Sequence, residues 1–180
     1  MRDGETPGPP GPSPDSSEIV PDTLEAITRP AVLSFFAADH VDVSGNKLYV
    51  NGGFFNLLRF RTFPATLGTL GIGVALQIPF HYTMQDHLIR IGFRGPDEQE
   101  LPLRVEARFR TTPGPEAEFG EPHIMPFGAT IPSVHIPVPG VYHLVLWLDN
   151  QQISTYRIRA IQIPAAASPG TAAGGGSPRS

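Results

Sequence analysis

Leu101-Pro102-Leu103-Arg104-Val105-Glu106-Ala107-Arg108-Phe109 puts an apolar side chain at every odd position and a polar side chain or proline at every even one. Side chains of an extended chain point alternately to its two sides, so this stretch is a strand with one face in a core and the other in water. Wound at 3.6 residues per turn, the same residues would spread apolar and charged groups around the whole circumference and bury neither. The segment therefore sets the fold class, and its neighbours repeat its logic.

Upstream, Leu70–Phe80 places Ile72, Val74, Leu76 and Ile78 at period two, and His87–Phe93 carries Leu88, Ile89, Ile91 and Phe93 before the turn Gly95-Pro96-Asp97. Ala31–Ala38 is an apolar run of strand length, and Lys47–Val50 and Phe54–Arg61 are extended segments. Ser44-Gly45-Asn46 and Asn51-Gly52-Gly53 are turns, because Asn and Gly accept positive φ. Downstream, Thr111–Pro122 is a polar loop. Met125–Val134 and His135–Val138 are extended pieces interrupted by proline, and Pro139-Gly140 turns the chain. In Val141–Leu148 large apolar residues occupy both faces, which predicts a central strand with Trp147 as a core anchor. Asp149-Asn150-Gln151 turns, and Ile153–Ile163 closes the domain. These segments predict an all-β fold, an antiparallel two-sheet β-sandwich of about eight strands, with no long helix.

The chain has 180 residues, with 19 glycines and 21 prolines that crowd toward its ends. Residues 1–29 form an acidic Pro/Gly-rich tail with a short helical turn expected at Ile19–Thr28. Residues 30–164 form the sandwich domain, and residues 165–180 form an Ala/Gly/Ser/Pro-rich tail. Both tails lack apolar periodicity and are expected to be disordered. Residues 1–29 carry Asp3, Glu5, Asp15, Glu18, Asp22 and Glu25 against Arg2 and Arg29, whereas residues 30–164 carry ten bases and eleven acids. A domain so close to neutral lacks the basic excess of a nucleic-acid binder. The absence of cysteine excludes disulfides, zinc thiolates and a thiol nucleophile. No basic start followed by an apolar run marks a secretory signal, and Leu67–Phe80 is too short to span a bilayer. A cytoplasmic protein without membrane contact is expected.

Three segments carry a resemblance. They are Ala38–Gly53 (ADHVDVSGNKLYVNGG), the Ile78-Pro79-Phe80 loop running to Asp86-His87-Leu88-Ile89-Arg90-Ile91, and Pro137-Val138-Pro139-Gly140-Val141-Tyr142 with Leu144 and Trp147-Leu148-Asp149. Together they span about Ala31 to Ile163, and over that range the chain resembles an uncharacterised bacterial β-sandwich family known only as a domain of unknown function. The resemblance implies the sandwich fold and no catalytic or binding residues.

The low-level candidates for chemistry are His40, Asp42 and His87. In extended chain His40 and Asp42 share one side, and an imidazole with a carboxylate can begin a metal site. The competing reading makes Asp42 and Ser44 turn-organising groups. The six histidines stand one per segment with no alternate-residue pair, so neither a cupin-type metal motif nor any catalytic residue is assigned, and no metal or cofactor is expected. Gly68, Gly71 and Gly73 precede no helix pattern and so form no phosphate loop. The expected function is a non-enzymatic interaction or structural accessory module acting on an unknown protein partner, with homo-oligomerisation open. The alternatives are an all-β metal-dependent enzyme using scattered His and Asp, or a carbohydrate- or small-ligand-binding sandwich with an exposed aromatic platform.

Overall fold

The computed structural model describes residues 29–164, so the expectations for both tails and for a helical turn at Ile19–Thr28 lie outside the described residues. Ten strands follow in order: β1 (Ala31–Ala38), β2 (His40–Ser44), β3 (Lys47–Asn51), β4 (Leu57–Phe60), β5 (Ala65–Ile78), β6 (Asp86–Arg94), β7 (Glu100–Arg110), β8 (His123–Ile136), β9 (Gly140–Leu148) and β10 (Gln151–Gln162). One 3₁₀ turn, Phe80–Tyr82, separates β5 from β6. The strands form a three-stranded sheet in the order β1-β5-β8, a five-stranded sheet in the order β4-β10-β9-β6-β7, and the hairpin β2-β3.

The all-β expectation holds at this level, but its count and pairing need correction. There are ten strands in three sheets rather than about eight in two, and β4 runs parallel to β10, with Leu57 beside Arg159 and Phe60 beside Gln162. The additional strand is β2, whose sequence HVDVS buries only Val41. It extends because Gly45 (φ 54°) and Asn46 (φ 59°) close a two-residue turn that pairs Ser44 with Lys47. Two consecutive left-handed residues match the twist of a hairpin. Asp149 (φ 50°) and Asn150 (φ 67°) make the same turn between β9 and β10. Phe54 sits at φ 65° and donates its N–H to the Ala37 carbonyl, so the segment expected to extend from Phe54 does so only from Leu57. The expected break near Val134 is absent, and β8 is continuous through Pro126 and Pro132. β8 lies at a sheet edge and pairs only with β5, and a residue without an N–H is tolerated there.

The inner faces of the two larger sheets share one core. Ile72, Leu76 and Ile78 of β5 and Ile136 of β8 meet Ile89, Ile91 and Phe93 of β6, Tyr142, Leu144 and Leu146 of β9, and Ile158 of β10. The Tyr142 hydroxyl donates to the Val138 carbonyl at 2.6 Å, so the buried phenol keeps a partner, and burial raises its pKa above the ordinary tyrosine value. A smaller cluster of Phe36, Ala38 and Val41 lies under the β2-β3 hairpin. Thr130 Oγ1 fixes that hairpin by donating to the Val41 carbonyl and accepting from the Val41 N–H, each at 2.9 Å. Gly71 admits the hairpin, because a Cβ there would stand 2.9 Å from the His40 backbone.

Candidate functional site

The three residues singled out in the sequence do not come together. His40 and Asp42 project on the exposed side of β2, where Asp42 Oδ1 accepts the Val43 N–H at 2.8 Å. His87 lies in the other sheet and is buried. Its Nε2 is 2.8 Å from the Tyr82 carbonyl oxygen and its Nδ1 is 2.8 Å from Asp149 Oδ2, while Asp149 Oδ1 accepts the Leu88 N–H. A carbonyl only accepts, so Nε2 donates to Tyr82, and Nδ1 is held against the Asp149 carboxylate. Both ring nitrogens are thus occupied in clamping the start of β6 to the β9-β10 turn. Among the described residues no three His, Asp or Glu side chains gather as a metal-binding group.

What the topology does gather is arginine. On β6, Arg90 and Arg94 alternate with the buried Ile89, Ile91 and Phe93. On β7, Arg104 and Arg108 alternate with Leu103, Val105 and Ala107, and on β10, Arg157 and Arg159 flank the buried Ile158. On β4, Arg59 stands between Leu58 and Phe60, which pack on the core. Period two sends these seven and Arg110 of β7, eight in all, to the outer face of the five-stranded sheet, out of the chain's 13 basic residues. The strand order then places them in rows. Arg94 pairs across to His143, which pairs to Arg157; Arg90 pairs to Trp147 on one side and Glu106 on the other.

Carboxylates on this face are few. Glu106 takes two hydrogen bonds from Arg104, at 2.7 and 3.2 Å, and Asp86 at the start of β6 takes one from Arg110 at 2.8 Å, while Glu98 reaches Arg94 at 3.7 Å and His143 at 3.5 Å from the β6-β7 turn, with Glu100 at the start of β7. Arg59, Arg90, Arg108, Arg157 and Arg159 make no ion pair among the described residues. The Glu106 carboxyl registers the local field. The hydrogen bond from Arg104 holds it below the usual glutamate range, and the charges of Arg104, Arg90 and Arg108 add to that against an opposing desolvation.

Trp147 stands in the middle of this face. β9 is the central strand of its sheet, as expected, but Trp147 points outward and is half-buried, which corrects its expected place in the core. Its cover is cationic side chains rather than a second layer. The Arg90 and Arg94 guanidiniums lie 5.0 and 5.5 Å from the indole centroid, and the benzo edge reaches over Gly92, where a Cβ would meet it at 3.0 Å. Arginine over an indole gains cation–π attraction while keeping its N–H groups available to an anion. Beside the ring, Arg90, Arg94, Leu101, Arg104 and Trp147 help line a groove of about 550 Å³.

Residues 33–161 match the model described as Family of unknown function (DUF6941). The chain belongs to this family. The DUF6941 match covers eight of the ten strands in full, all but the first two residues of β1 and all but the last of β10. Comparison with curated proteins gives no match. Among solved structures, the Pseudomonas fluorescens alkylpurine DNA glycosylase AlkC bound to DNA containing an abasic site analog is similar over 70% of this chain and 30% of that one, with 7% identity and a TM-score of 0.34. At that identity and score the likeness assigns no activity to the DUF6941 chain. No helix among the described residues is long and apolar enough to cross a membrane.

Proposed function

We propose that the protein is a non-enzymatic β-sandwich interaction module that binds an acidic polypeptide partner through the outer face of its five-stranded sheet. The supporting observation is the segregation of eight arginines onto one face of a domain whose total charge is close to neutral. Five of those guanidiniums have no carboxylate partner among the described residues, so they offer paired N–H donors to carboxylates from outside. The expectation of no nucleic acid rested on the average charge, and the local excess of arginine removes that ground. The preference for polypeptide comes instead from the aromatic. The face's tryptophan is already flanked by two guanidiniums, and single strands are held by rings that bases can stack on.

The test is binding of fluorescent poly-L-glutamate to the full chain at low salt, beside a single-stranded oligonucleotide of similar length. Arg157→Gln combined with Arg159→Gln removes two exposed charges without touching the core. Binding that falls with salt and weakens about ten-fold in this double variant supports the reading, since ten-fold is about 1.4 kcal/mol. Binding indifferent to the substitutions, or tighter binding of the oligonucleotide, overturns it.

A further inference from the structure

The arginine face has a hollow in it, and the strand register accounts for it. Gly92 of β6 stands opposite Arg104 of β7, but the next residue, Phe93, stands opposite Leu101. Pro102 and Leu103 of β7 therefore have no counterpart on β6, and extra residues on one strand bend it away from its partner. Pro102 stays exposed, while Leu103 turns its side chain into the core. Opposite this bend, Gly92 brings no side chain to the outer face that it shares with Arg90 and Arg94. The result is the groove of about 550 Å³ beside Trp147, a volume in the range of pockets that hold a small organic group.

Its lining is mixed. Leu101, Pro102 and Trp147 supply apolar surface, with Arg94, Arg104 and Glu100 among the polar groups. Two of the guanidiniums here already meet carboxylates: Arg104 is bonded to Glu106 at 2.7 Å, and Arg94 lies 3.7 Å from Glu98. An incoming carboxylate would also face Glu100, so the hollow suits an acid less than the rest of the face does. It suits a flat neutral ring. The apolar walls withdraw such a ring from water. Arg90 and Arg94, whose guanidiniums lie 5.0 and 5.5 Å from the Trp147 ring centroid, border the groove and offer planar cations to a second ring.

The unpaired charge begins just outside the hollow. Arg94 is opposite His143, and His143 is opposite Arg157, so Arg94 and Arg157 are two strands apart. Two strand spacings are about 10 Å, which an extended peptide covers in about three residues. Acids a few residues from a seated ring therefore reach Arg157, which makes no ion pair among the described residues. We infer that the acidic partner carries an aromatic side chain that enters this groove as its anchor, an inference that rests on the binding face proposed above and specifies what that face selects. An aromatic group enclosed in a pocket and ringed by polar contacts is the usual form of an interface anchor.

Three peptides test this against the full chain at low salt, each with eight glutamates around one central phenylalanine, leucine or alanine. The phenylalanine peptide is expected to bind about ten-fold tighter than the alanine peptide, as an enclosed aromatic anchor does, and tighter than the leucine peptide. Its ring protons should give intermolecular NOEs to the Leu101 methyls and the Trp147 ring, a readout that needs no variant. A Cβ at Gly92 would stand 3.0 Å from the Trp147 benzo edge, so Gly92→Ala disturbs the hollow at its floor. This variant should bring the phenylalanine peptide close to the alanine peptide and leave the alanine peptide unchanged. Equal binding of the phenylalanine and alanine peptides, or ring NOEs to residues outside the groove, overturns the inference. If both peptides then still weaken in Arg157→Gln with Arg159→Gln, the binding face stands without an anchor. A leucine peptide as tight as the phenylalanine one overturns the aromatic preference, and tighter binding of a single-stranded oligonucleotide overturns the polypeptide. If no peptide binds, the anchor and the face fail together.

Discussion

Trp147→Ala measures how the outer face is built. An aromatic side chain buries 150–250 Å² when fully enclosed. Trp147 is only partly exposed, so roughly 140 Å² of apolar surface is withdrawn from water, and at about 25 cal/mol per Å² this amounts to about 3.5 kcal/mol before any correction. The two guanidiniums over the ring add about 0.5 kcal/mol each at a partly wet site. Compaction of the unfolded chain removes a share of the area term. The expected loss is therefore about 3 kcal/mol, read as a fall in the urea midpoint at unchanged slope by circular dichroism. A cycle with Arg90→Ala should return a coupling of about 0.5 kcal/mol. In the wild type the sole tryptophan should be quenched by acrylamide to an intermediate degree. A loss above about 5 kcal/mol with a ring inaccessible to quencher would return Trp147 to the core and refute the description of this face. A loss below about 1 kcal/mol would show that the arginine cover does not form.

Three further outcomes follow from the same contacts. Tyr142→Phe removes a buried hydroxyl that bonds Val138 and should cost about 1 kcal/mol in chemical denaturation, well below the 3–5 kcal/mol expected of Tyr142→Ala; equal costs for the two would show that packing contributes nothing there. His87→Ala should cost about 2–4 kcal/mol and raise amide exchange at Leu88 and Asp149, because both ring nitrogens and the ring contact with Phe109 are lost; a stability within 0.5 kcal/mol of wild type would contradict the clamp. Glu106 should titrate by NMR below an ordinary glutamate and move back up in Arg104→Gln. A depressed folded pKa contributes above the unfolded value and is lost as pH falls through the folded one, so the Arg104–Glu106 contact should disappear only in that acid window. An unshifted Glu106 would deny the field of the arginines.

The strands were legible wherever one face is buried and the other wet. β7 keeps its alternation along its whole length, and β6 and β9 fall within two residues of the segments read from sequence. Legibility failed where local pattern and pairing separate. His40–Ser44 reads as a polar exit from the core, and only its turn and its dock on Thr130 make it a strand. The prolines of β8 read as breaks because sequence does not say which edge of a sheet is open. Trp147 shares a face with Val141, His143 and Val145, so its apolar neighbours suggested a covering layer that is in fact arginine.

The arginine face was hidden for a related reason. Arg104 and Arg108 flank Glu106 and pass, with Arg110 beyond them, for a solvated surface, and the other arginines stand on β4, β6 and β10. Only the order β4-β10-β9-β6-β7, which sets strands distant in sequence side by side, sums them. The compensating acids, among them Asp97, Glu116, Glu118, Glu121 and Asp149, lie in loops and cancel the total without entering the face. The signal present in the chain was the outward spacing itself: Arg90 with Arg94, Arg104 with Arg108, and Arg157 with Arg159, each pair at even separation and out of phase with buried residues.

Amide and indole chemical-shift mapping of the full chain against poly-L-glutamate at low salt tests the binding face most directly. The account predicts shifts concentrated at Arg90–Arg94, Arg104–Arg108, His143–Trp147 and Arg157–Arg159, reversed by salt. Shifts centred on the β2-β3 hairpin or the edge of β8, with the Trp147 indole unmoved, would contradict it.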